Sequence, residues 1–381
     1  MKVAIINTLP VPSGQASVNR FLGYAKGLVK LGDQVTCLSS AKPVDIMAGE
    51  TDGVSFINYG TGGKLSLLKS LRQIRGKIKV EKYDAVIVVS NSLLMLYPVF
   101  CTCRKIGTNF IMEKSEFPLM MMRDGQEVKS GWKRWYGCLW VKAIGKMLDG
   151  MIVMTTPLLE YFKPRVNKNC RLVHIPMTVD TSRFEIERTN SEYGKYIAYC
   201  GNMTGNKDGV ENLIEAFKEV EPAFPDIKLL LIGGCNTKAQ FEARKQYVEK
   251  TGLKNVVFYG KAPRDEMPKL LKNAMMLCLA RPTTTQATYG FPTKLGEYLS
   301  TGNPIVVTAV GDIPRYLTNE NSYIVKADDN HAFALRISEV LDNYGHAVEV
   351  GARGKELAKT VFNAEVQSKV LHEWLTEFNK L

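Results

Sequence analysis

A glycine, a lysine and a glutamate near residue 290 have the spacing of an anion-binding turn followed by a helix. Gly290 has no Cβ, so a ligand can approach the backbone closely there, and Pro292 suits the first turn of a helix. The backbone N–H groups of residues 293–295 are predicted to be free, and the helix dipole favours an anion beside them. Lys294 adds a positive charge, and Glu297 places a carboxylate about one turn further along. This pattern favours a diphosphate at the helix N-terminus, with a sugar hydroxyl on the carboxylate.

The residues around this turn are predicted to form a loop, a short helix and a buried strand. Leu295 and Leu299 are four residues apart and should face the core, while Glu297 points elsewhere. Gly302 and Pro304 then act as helix stop signals. The alternative is an ordinary structural turn between a loop and a helix. The residues predicted here to bind the ligand are Gly290, Phe291, Pro292, Thr293, Lys294, Leu295 and Glu297.

A second glycine-rich loop follows the strand predicted at residues 196–199. It contains Lys207 and ends at Gly209, just before a helix predicted to start at Val210. Glycines, a lysine and a helix N-terminus together form another anion cradle. We expect Lys207 to contact the same diphosphate, a charge-assisted interaction worth about 1.5–3 kcal/mol.

Together these passages resemble the donor-binding segments of the retaining glycosyltransferases of family 4, which have the GT-B fold. The resemblance covers most of residues 175–330 and, more weakly, residues 1–40. It implies that the two loops hold the diphosphate of a sugar nucleotide and that Glu297 binds the donor ribose. Two positions depart from the family pattern: Tyr289 stands where a first glutamate is usual, and Asn202 stands where an arginine is common. Asn202 is nevertheless counted among the predicted donor contacts.

The resemblance also assigns roles to the first half of the chain. In the family the loop after the first strand faces a cleft between the domains, so Gly14 and Gln15 are candidates to contact the donor or the acceptor. The family often has a histidine or aspartate in the cleft after a later strand. Because no histidine precedes His174, Glu113 or Glu116 would have to take that role. We predict Glu116 and Lys207 as the catalytic residues. The alternative for Glu116 is a structural loop carboxylate.

Composition limits the classes of protein that fit. A chain of 381 residues with 45% hydrophobic and 23% charged residues is expected to form two globular domains. The longest apolar run, at residues 93–103, is too short to span a bilayer, and the first residues do not form a signal peptide. The eight cysteines include no Cys-x-x-Cys pair, and the four histidines are not spaced as metal ligands. We therefore expect reduced thiols, no metal site and a cytoplasmic location.

The net positive charge lies entirely in the first half of the chain, because acidic and basic residues are equal in number in the rest. Residues 1–185 contain 26 Lys and Arg against 14 Asp and Glu, which equals the net charge of +12. Such a field suggests nucleic acid, anionic lipid or a phosphorylated substrate as its target. The alternative is a solvated basic face with no partner.

Residues 129–148 combine cations with three of the four tryptophans. Trp132, Trp135, Tyr136 and Leu139 are spaced as one face of a helix, and a basic helix with an aromatic face is typical of a segment lying in a membrane interface. A core helix with a solvated basic flank is the alternative. Nucleic-acid binding ranks behind both, because no nucleic-acid motif is present.

We predict an α/β chain with two Rossmann-like domains facing across a cleft, the GT-B arrangement. Strands, loops and helices alternate in both halves, and a polar stretch at residues 185–195 marks the linker. The predicted parts are residues 1–185, an acceptor-side domain; residues 190–362, a nucleotide-sugar-binding domain; and residues 363–381, a helix crossing back to the first domain as in GT-B enzymes.

The predicted activity is transfer of a sugar from a nucleoside-diphosphate sugar to a saccharide acceptor. The basic, aromatic first domain suggests a lipid-linked acceptor at the inner membrane face, as in surface or capsular polysaccharide assembly. Family membership implies retention of configuration. The sequence contains no Asp-x-Asp motif, which argues against the metal-dependent GT-A class. We therefore expect no metal and no cofactor other than the sugar nucleotide itself, and no nucleic acid as a partner. The alternatives are a non-catalytic nucleotide-binding partner protein and a GT-B nucleotide-sugar epimerase.

Overall fold

Short apolar runs alternate with amphipathic segments along this chain, and in the structure, a computed structural model, they become strands and helices. The described residues are 1–43, 46–61 and 65–378. The strands, numbered along the chain, are β1 (Lys2–Asn7), β2 (Gln34–Ser39), β3 (Ala48–Thr51), β4 (Val54–Asn58), β5 (Ala85–Val89), β6 (Asn109–Lys114), β7 (Met122–Arg123), β8 (Gln126–Glu127), β9 (Gly150–Val153), β10 (Arg171–His174), β11 (Tyr196–Cys200), β12 (Lys228–Ile232), β13 (Val256–Gly260), β14 (Met276–Leu279), β15 (Ile305–Thr308) and β16 (Tyr323–Val325).

The helices follow the amphipathic segments. In chain order they are α1 (Ala16–Lys30), α2 (Ser66–Glu81), α3 (Leu93–Ile106), α4 (Trp132–Met147), α5 (Thr156–Phe162), α6 (Val210–Val220), α7 (Lys238–Thr251), α8 (Met267–Asn273), α9 (Thr285–Tyr289), α10 (Lys294–Thr301), α11 (Ile313–Tyr316), α12 (Asn330–Asp342), α13 (Tyr344–Thr360) and α14 (Ala364–Phe378). Among the described helices, none combines the length and the apolar character that crossing a bilayer requires.

The chain divides into two units, Met1–Thr178 with Ala364–Leu381, and Val179–Asn363. The boundary between Thr178 and Val179 lies before residues 185–195, the polar stretch predicted to be the linker. Phe184 is fully buried, and Arg188 donates to Asn303 Oδ1 at 2.6 Å within the second unit. The stretch therefore packs as part of that unit.

In the first unit, β1 lies near the middle of an eight-stranded sheet. The strand order is β10-β9-β6-β5-β1-β2-β4-β3, and every neighbouring pair except β3 and β4 is parallel. Since β1 pairs with β2 on one side and β5 on the other, the chain reverses its winding direction there. Loops at the carboxyl ends of such a switch point are where open α/β sheets bind ligands.

The last helix packs on the first helix of the first unit. Leu371 and Leu375 of α14 are buried in the same apolar cluster as Phe21 and Leu28 of α1. His372 adds a polar contact, because its Nδ1 lies 2.7 Å from Asp33 Oδ2. The C-terminal segment thus completes the core of the unit in which the chain begins.

The second unit contains a fully parallel six-stranded sheet with the order β13-β12-β11-β14-β15-β16. All residues of β11, β14 and β15 are buried, as expected of strands covered on both faces. β11 pairs with β12 on one side and β14 on the other. The switch point of this sheet therefore lies between the loops that follow β11 and β14.

Candidate functional site

Both anion-binding loops predicted from the sequence lie at the switch point of the second sheet. The first, residues 201–209, connects β11 to α6, and the second, residues 280–293, connects β14 to α10. Gly209 lets them meet, because a Cβ there would lie 1.7 Å from the Ala280 carbonyl oxygen and its φ of +75° is left-handed. A larger residue at 209 would push the two loops apart.

The centre of the site is a carboxylate, 13% exposed, that is shared by two cations. Lys294 Nζ lies 2.5 Å from Asp208 Oδ2, and Arg281 Nε lies 3.5 Å from Asp208 Oδ1. Burial alone would raise the pKa of Asp208, but the charges of Lys294 and Arg281 lower this pKa to about 2. The Arg281 side chain is only 1% exposed. The cluster keeps one positive charge in excess, and Lys207 adds another in the same loop, so an anion is favoured.

Aromatic hydroxyls fix the position of the lysine. Lys294 Nζ lies 4.8 Å from the centroid of the Tyr199 ring and 3.3 Å from its hydroxyl. Burial raises the pKa of Tyr199 to about 12, so this hydroxyl is neutral and donates to the Asn202 carbonyl at 3.0 Å. Tyr298 accepts from the Cys200 N–H at 2.6 Å. The end of β11 is thereby held against α10.

The N-terminus of α10 differs in one respect from the sequence prediction. We predicted three free N–H groups, but that of Leu295 donates to the Pro292 carbonyl at 2.9 Å and closes the turn before the helix. Among the described residues, the structure gives no hydrogen-bond acceptor to the N–H groups of Thr293 and Lys294. Two amides and one ammonium are thus available to an anion, instead of three amides.

The predicted ribose-binding carboxylate is oriented by an arginine that sequence reasoning did not single out. Glu297 Oε1 lies 3.3 Å from Arg183 Nη1, and Arg183 Nη2 donates to the Arg264 carbonyl at 2.8 Å. Burial raises the pKa of Glu297, and the positive charge of Arg183 opposes that shift. Arg183 lies in a short 3₁₀ helix 114 residues away in sequence, so no local pattern pointed to it.

Several predicted contact residues shape the loop through their side chains. Phe291 is buried, with its ring 5.8 Å from that of Tyr316 and 5.6 Å from that of Phe362. A Cβ on Gly290 would meet the Gln286 carbonyl at 2.8 Å, so the missing side chain makes room for α9. Of the other residues predicted in this loop, Pro292 and Leu295 are buried and Thr293 is half-buried.

Two other predicted residues lie in the first loop. Asn202 is exposed, donates to Asn236 Oδ1 at 2.9 Å and accepts from the Thr204 N–H at 2.7 Å, so its side chain braces the loop. Lys207 is half-buried and directly precedes Asp208. The position where the family commonly has an arginine therefore carries no charge, and the second cation comes from Arg281 instead.

In the first unit, Gly14 and Gln15 lie exposed in the loop between β1 and α1, at the switch point of that sheet. Glu113 is buried at the end of β6 and lies 2.7 Å from Arg20 Nε. This ion pair occupies Glu113 in holding α1 against the sheet. Glu116 follows half-buried in the next loop, and its catalytic role stays a prediction.

A buried lysine at the same sheet edge was missed by sequence reasoning. Lys114, the last residue of β6, is 4% exposed, and its Nζ donates to Asn91 Oδ1 and lies 5.2 Å from the centroid of the Trp140 ring. Trp140 Nε1 donates to the Asn91 carbonyl at 2.8 Å. Burial lowers the pKa of Lys114 to about 8, although Glu113 and Glu116 oppose the shift. Strongly shifted lysines in such positions are common at functional sites.

We expect Lys114→Met to stabilise the protein by about 1–2 kcal/mol at pH 7. A pKa lowered from 10.5 to about 8 means that burying the ammonium costs about 3 kcal/mol below pH 8. Loss of the hydrogen bond to Asn91 offsets about 1–2 kcal/mol of the gain. Between pH 8 and 10.5, Lys114 is protonated in the unfolded chain but not in the folded one. The free energy of unfolding of the wild type should therefore rise relative to that of the variant across this range. Urea unfolding at pH 7 and pH 10 measures the stability difference and its change with pH, with a variant of an exposed lysine, Lys105→Met, as the control. A Lys114→Met variant less stable than wild type at pH 7 would contradict the expectation.

Among the described residues, no three His, Cys, Asp or Glu side chains are grouped so that they could hold a metal ion.

The sequence of this chain is similar to those of known glycosyltransferases. Residues 194–343 match the family model of the glycosyl transferases group 1. A curated relative, the GDP-mannose-dependent monoacylated alpha-(1-6)-phosphatidylinositol monomannoside mannosyltransferase of Corynebacterium glutamicum, is 23% identical over 245 residues. That match covers 61% of this chain and 63% of the relative's length. The family resemblance predicted from the two loops is confirmed.

Solved structures resemble the whole chain. Sucrose-phosphate synthase from Thermosynechococcus elongatus has a TM-score of 0.79 at 16% identity, covering 100% of this chain and 99% of that one. The Anabaena protein HepE in complex with UDP-glucose has a TM-score of 0.73 at 12% identity, covering 99% of this chain and 100% of that one. These likenesses confirm the predicted GT-B fold.

Proposed function

We propose that this GT-B glycosyltransferase moves a sugar from a nucleoside-diphosphate sugar to a saccharide acceptor. The observation that supports the donor most directly is the cluster at the second switch point. Lys294 and Arg281 share the single carboxylate of Asp208. The start of α10 adds two amides that have no acceptor among the described residues. Cations and backbone amides fixed before the ligand arrives are the arrangement that stabilises a leaving diphosphate.

The mechanism follows from where charge develops. When the bond between the sugar and the diphosphate breaks, negative charge grows on the diphosphate oxygens. Lys294, Lys207 and the amides at the start of α10 would stabilise that charge without reorganising. Glu297, oriented by Arg183, would accept hydrogen bonds from the ribose hydroxyls. We propose retention of configuration and independence of metal as further properties, in keeping with the family resemblance.

Related proteins guide the choice of donor. The corynebacterial relative is described as GDP-mannose-dependent, and HepE was solved with UDP-glucose. Both donors consist of a nucleoside, a diphosphate and a hexose, which is the chemistry that this site suits. A panel of UDP- and GDP-sugars, with release of the nucleoside diphosphate as the signal, tests the proposal. Calorimetry that detects no binding of uridine or guanosine diphosphates would overturn it.

A second candidate function is a non-catalytic binding partner that kept the nucleotide site. The uncharged Asn202, whose side chain only braces its loop, is the observation that favours it. The same panel separates the two functions. Tight nucleotide binding without turnover of any donor, with and without added acceptor lipids, would support the binding partner.

We also propose that the acceptor is carried on a lipid at the cytoplasmic face of a membrane, as in surface or capsular polysaccharide assembly. The supporting feature is the exposed face of α4. Trp132 and Trp135 are 72% and 65% exposed, and Leu139 is 44% exposed. The helix contains four Lys and Arg and no acidic residue. Exposed aromatic rings among cations match an anionic membrane interface in both polarity and charge.

The double variant Trp132→Ser/Trp135→Ser is expected to bind vesicles of phosphatidylcholine and phosphatidylglycerol about tenfold more weakly than wild type. Each ring removed deletes apolar area that would otherwise lie in the interface. Vesicle sedimentation measures the change. Val80→Ser/Leu335→Ser, which removes two exposed apolar side chains elsewhere, is the matched control and should bind as wild type does. Equal binding by the tryptophan variant and wild type would contradict the membrane proposal.

A further inference from the structure

A cavity of about 330 Å³ lies beside α4 in the first unit and is lined largely by cations. Its lining residues are Arg134, Cys138, Val141, Lys142, Tyr161 and Arg165. None of them belongs to the donor site of the second unit. Three of the six are Lys or Arg, so the cavity has the composition of an anion site.

The positive charge of the cavity is only partly balanced. Glu127 forms an ion pair with Arg134, while Lys142 is exposed and has no ion-pair partner among the described residues. Arg165 is not paired with a carboxylate either; its Nη1 donates to the Tyr161 carbonyl at 2.6 Å. Within the described ranges, two cations beside this cavity therefore have no counter-ion, and uncompensated positive charge of this kind attracts anions.

The arginines are held in place before any ligand binds. The Arg165 guanidinium lies 4.1 Å from the centroid of the Tyr161 ring, and the ring also packs edge-on against Phe117 at 5.0 Å. A guanidinium fixed in this way presents its remaining N–H groups as a planar fork, which matches phosphate oxygens. The cavity is thus better suited to a phosphate than to a single carboxylate.

The cavity borders the exposed aromatic face of α4. One stripe of the helix contains residues spaced four apart, namely Arg134, Cys138 and Lys142. A second stripe begins one position later and contains Trp135 and Leu139. The aromatic stripe and the cationic stripe therefore lie side by side on the same helix. A phosphate in the cavity would sit next to the rings proposed to enter the membrane interface.

We propose that this cavity binds a phosphate group, and that its occupant is the headgroup phosphate of an anionic membrane lipid. The inference deepens the proposed membrane-side function and rests on it for the source of the phosphate. Free phosphate esters share the same chemistry, so the experiments must separate the two sources.

Cys138 provides a reporter that does not depend on sugar transfer. Its thiol is exposed at the cavity, so an occupant should slow its alkylation by a maleimide, followed by mass spectrometry of the peptide. Vesicles of phosphatidylcholine with phosphatidic acid should slow alkylation about tenfold at ten times the dissociation constant. Vesicles of the same surface charge made with oleate, which lacks a phosphate, should not.

Cavity variants complete the test. Arg165→Gln and Lys142→Gln, each shown to be folded by circular dichroism, should lose the preference for phosphatidic acid over oleate vesicles. Lys105→Gln, which removes an exposed cation on α3, should keep it. Retention of the preference by both cavity variants, or equal protection by oleate, would overturn the proposal. Protection by glycerol 3-phosphate but not by vesicles would overturn the lipid as the source. If wild type turns over no donor, the proposed function fails, while protection of Cys138 still decides the cavity.

Discussion

Lys294→Met is expected to lower kcat/KM for the sugar-nucleotide donor by about 10²–10³-fold, the loss typical of removing one preorganised charge from a transition state. Lys294 Nζ lies 2.5 Å from Asp208 Oδ2, so the variant loses a cation and also leaves a carboxylate facing the diphosphate. Repulsion between these two anions adds to the loss. Donor turnover, measured as nucleoside diphosphate released, gives the size of the effect.

The structural part of that loss can be separated from the catalytic part. Removing one partner of a buried ion pair costs about 3–5 kcal/mol of stability, because the remaining charge is uncompensated. The double variant Lys294→Met/Asp208→Asn restores the charge balance and should recover most of the stability in urea unfolding. Its turnover should stay low. If the double variant recovers full turnover, Lys294 serves the fold alone, and its assignment to the diphosphate is wrong.

Glu297→Gln is expected to weaken binding of nucleoside diphosphates by about 10–100-fold, the loss that corresponds to a hydrogen bond with a charged group. Binding of inorganic pyrophosphate should be unchanged, since it has no ribose. Burial raises the pKa of Glu297, so its carboxylate takes up a proton at a higher pH than an ordinary glutamate. Wild-type affinity should therefore fall as the pH is lowered through that raised pKa, and the variant should lack this dependence. Calorimetry across mildly acidic pH measures both.

Arg183→Gln serves as the companion variant for that prediction. The positive charge of Arg183 lowers the pKa of Glu297 against the effect of burial, so its removal should move the loss of nucleotide affinity to still higher pH. A pH profile unchanged by Arg183→Gln would show that Glu297 is not the titrating group. Equal loss of pyrophosphate and nucleotide affinity in Glu297→Gln would place the glutamate on the diphosphate instead of the ribose.

The sequence predicted the parts of this site that depend on local pattern. Gly302 ends α10 in the left-handed conformation, and Leu295 and Leu299 are buried, because stop signals and helical spacing act over a few residues. The aromatic face of α4 was predicted for the same reason. Pattern alone left open whether that face was buried, and the 72% exposure of Trp132 decides it.

The partners of the charged residues could not be predicted in this way. Lys294 and Asp208 are 86 residues apart, and Arg183 and Glu297 are 114 apart, so only the folded sheet brings them together. Lys114 was overlooked because a lysine at the end of a strand is usually exposed. Its burial depends on the Trp140 ring from another element.

One helix was also missed for a local reason. The residues that lead to Gly290 were predicted to form a loop. In the structure, Thr284 caps α9 by accepting from the Ala287 N–H at 3.0 Å, so the same hydroxyls that discourage a helix interior begin this one.

The packing of α14 on α1 has a consequence for how the protein is made. Residues Val179–Asn363 are continuous along the chain, so this portion can finish folding while the ribosome is still at work. The first unit must wait for Leu371 and Leu375 to fill its core, because these residues follow the whole of the second unit along the chain. Until then Phe21 and Leu28 lack the apolar side chains of α14 that share their cluster, and transiently exposed apolar surface of this kind is what chaperones protect.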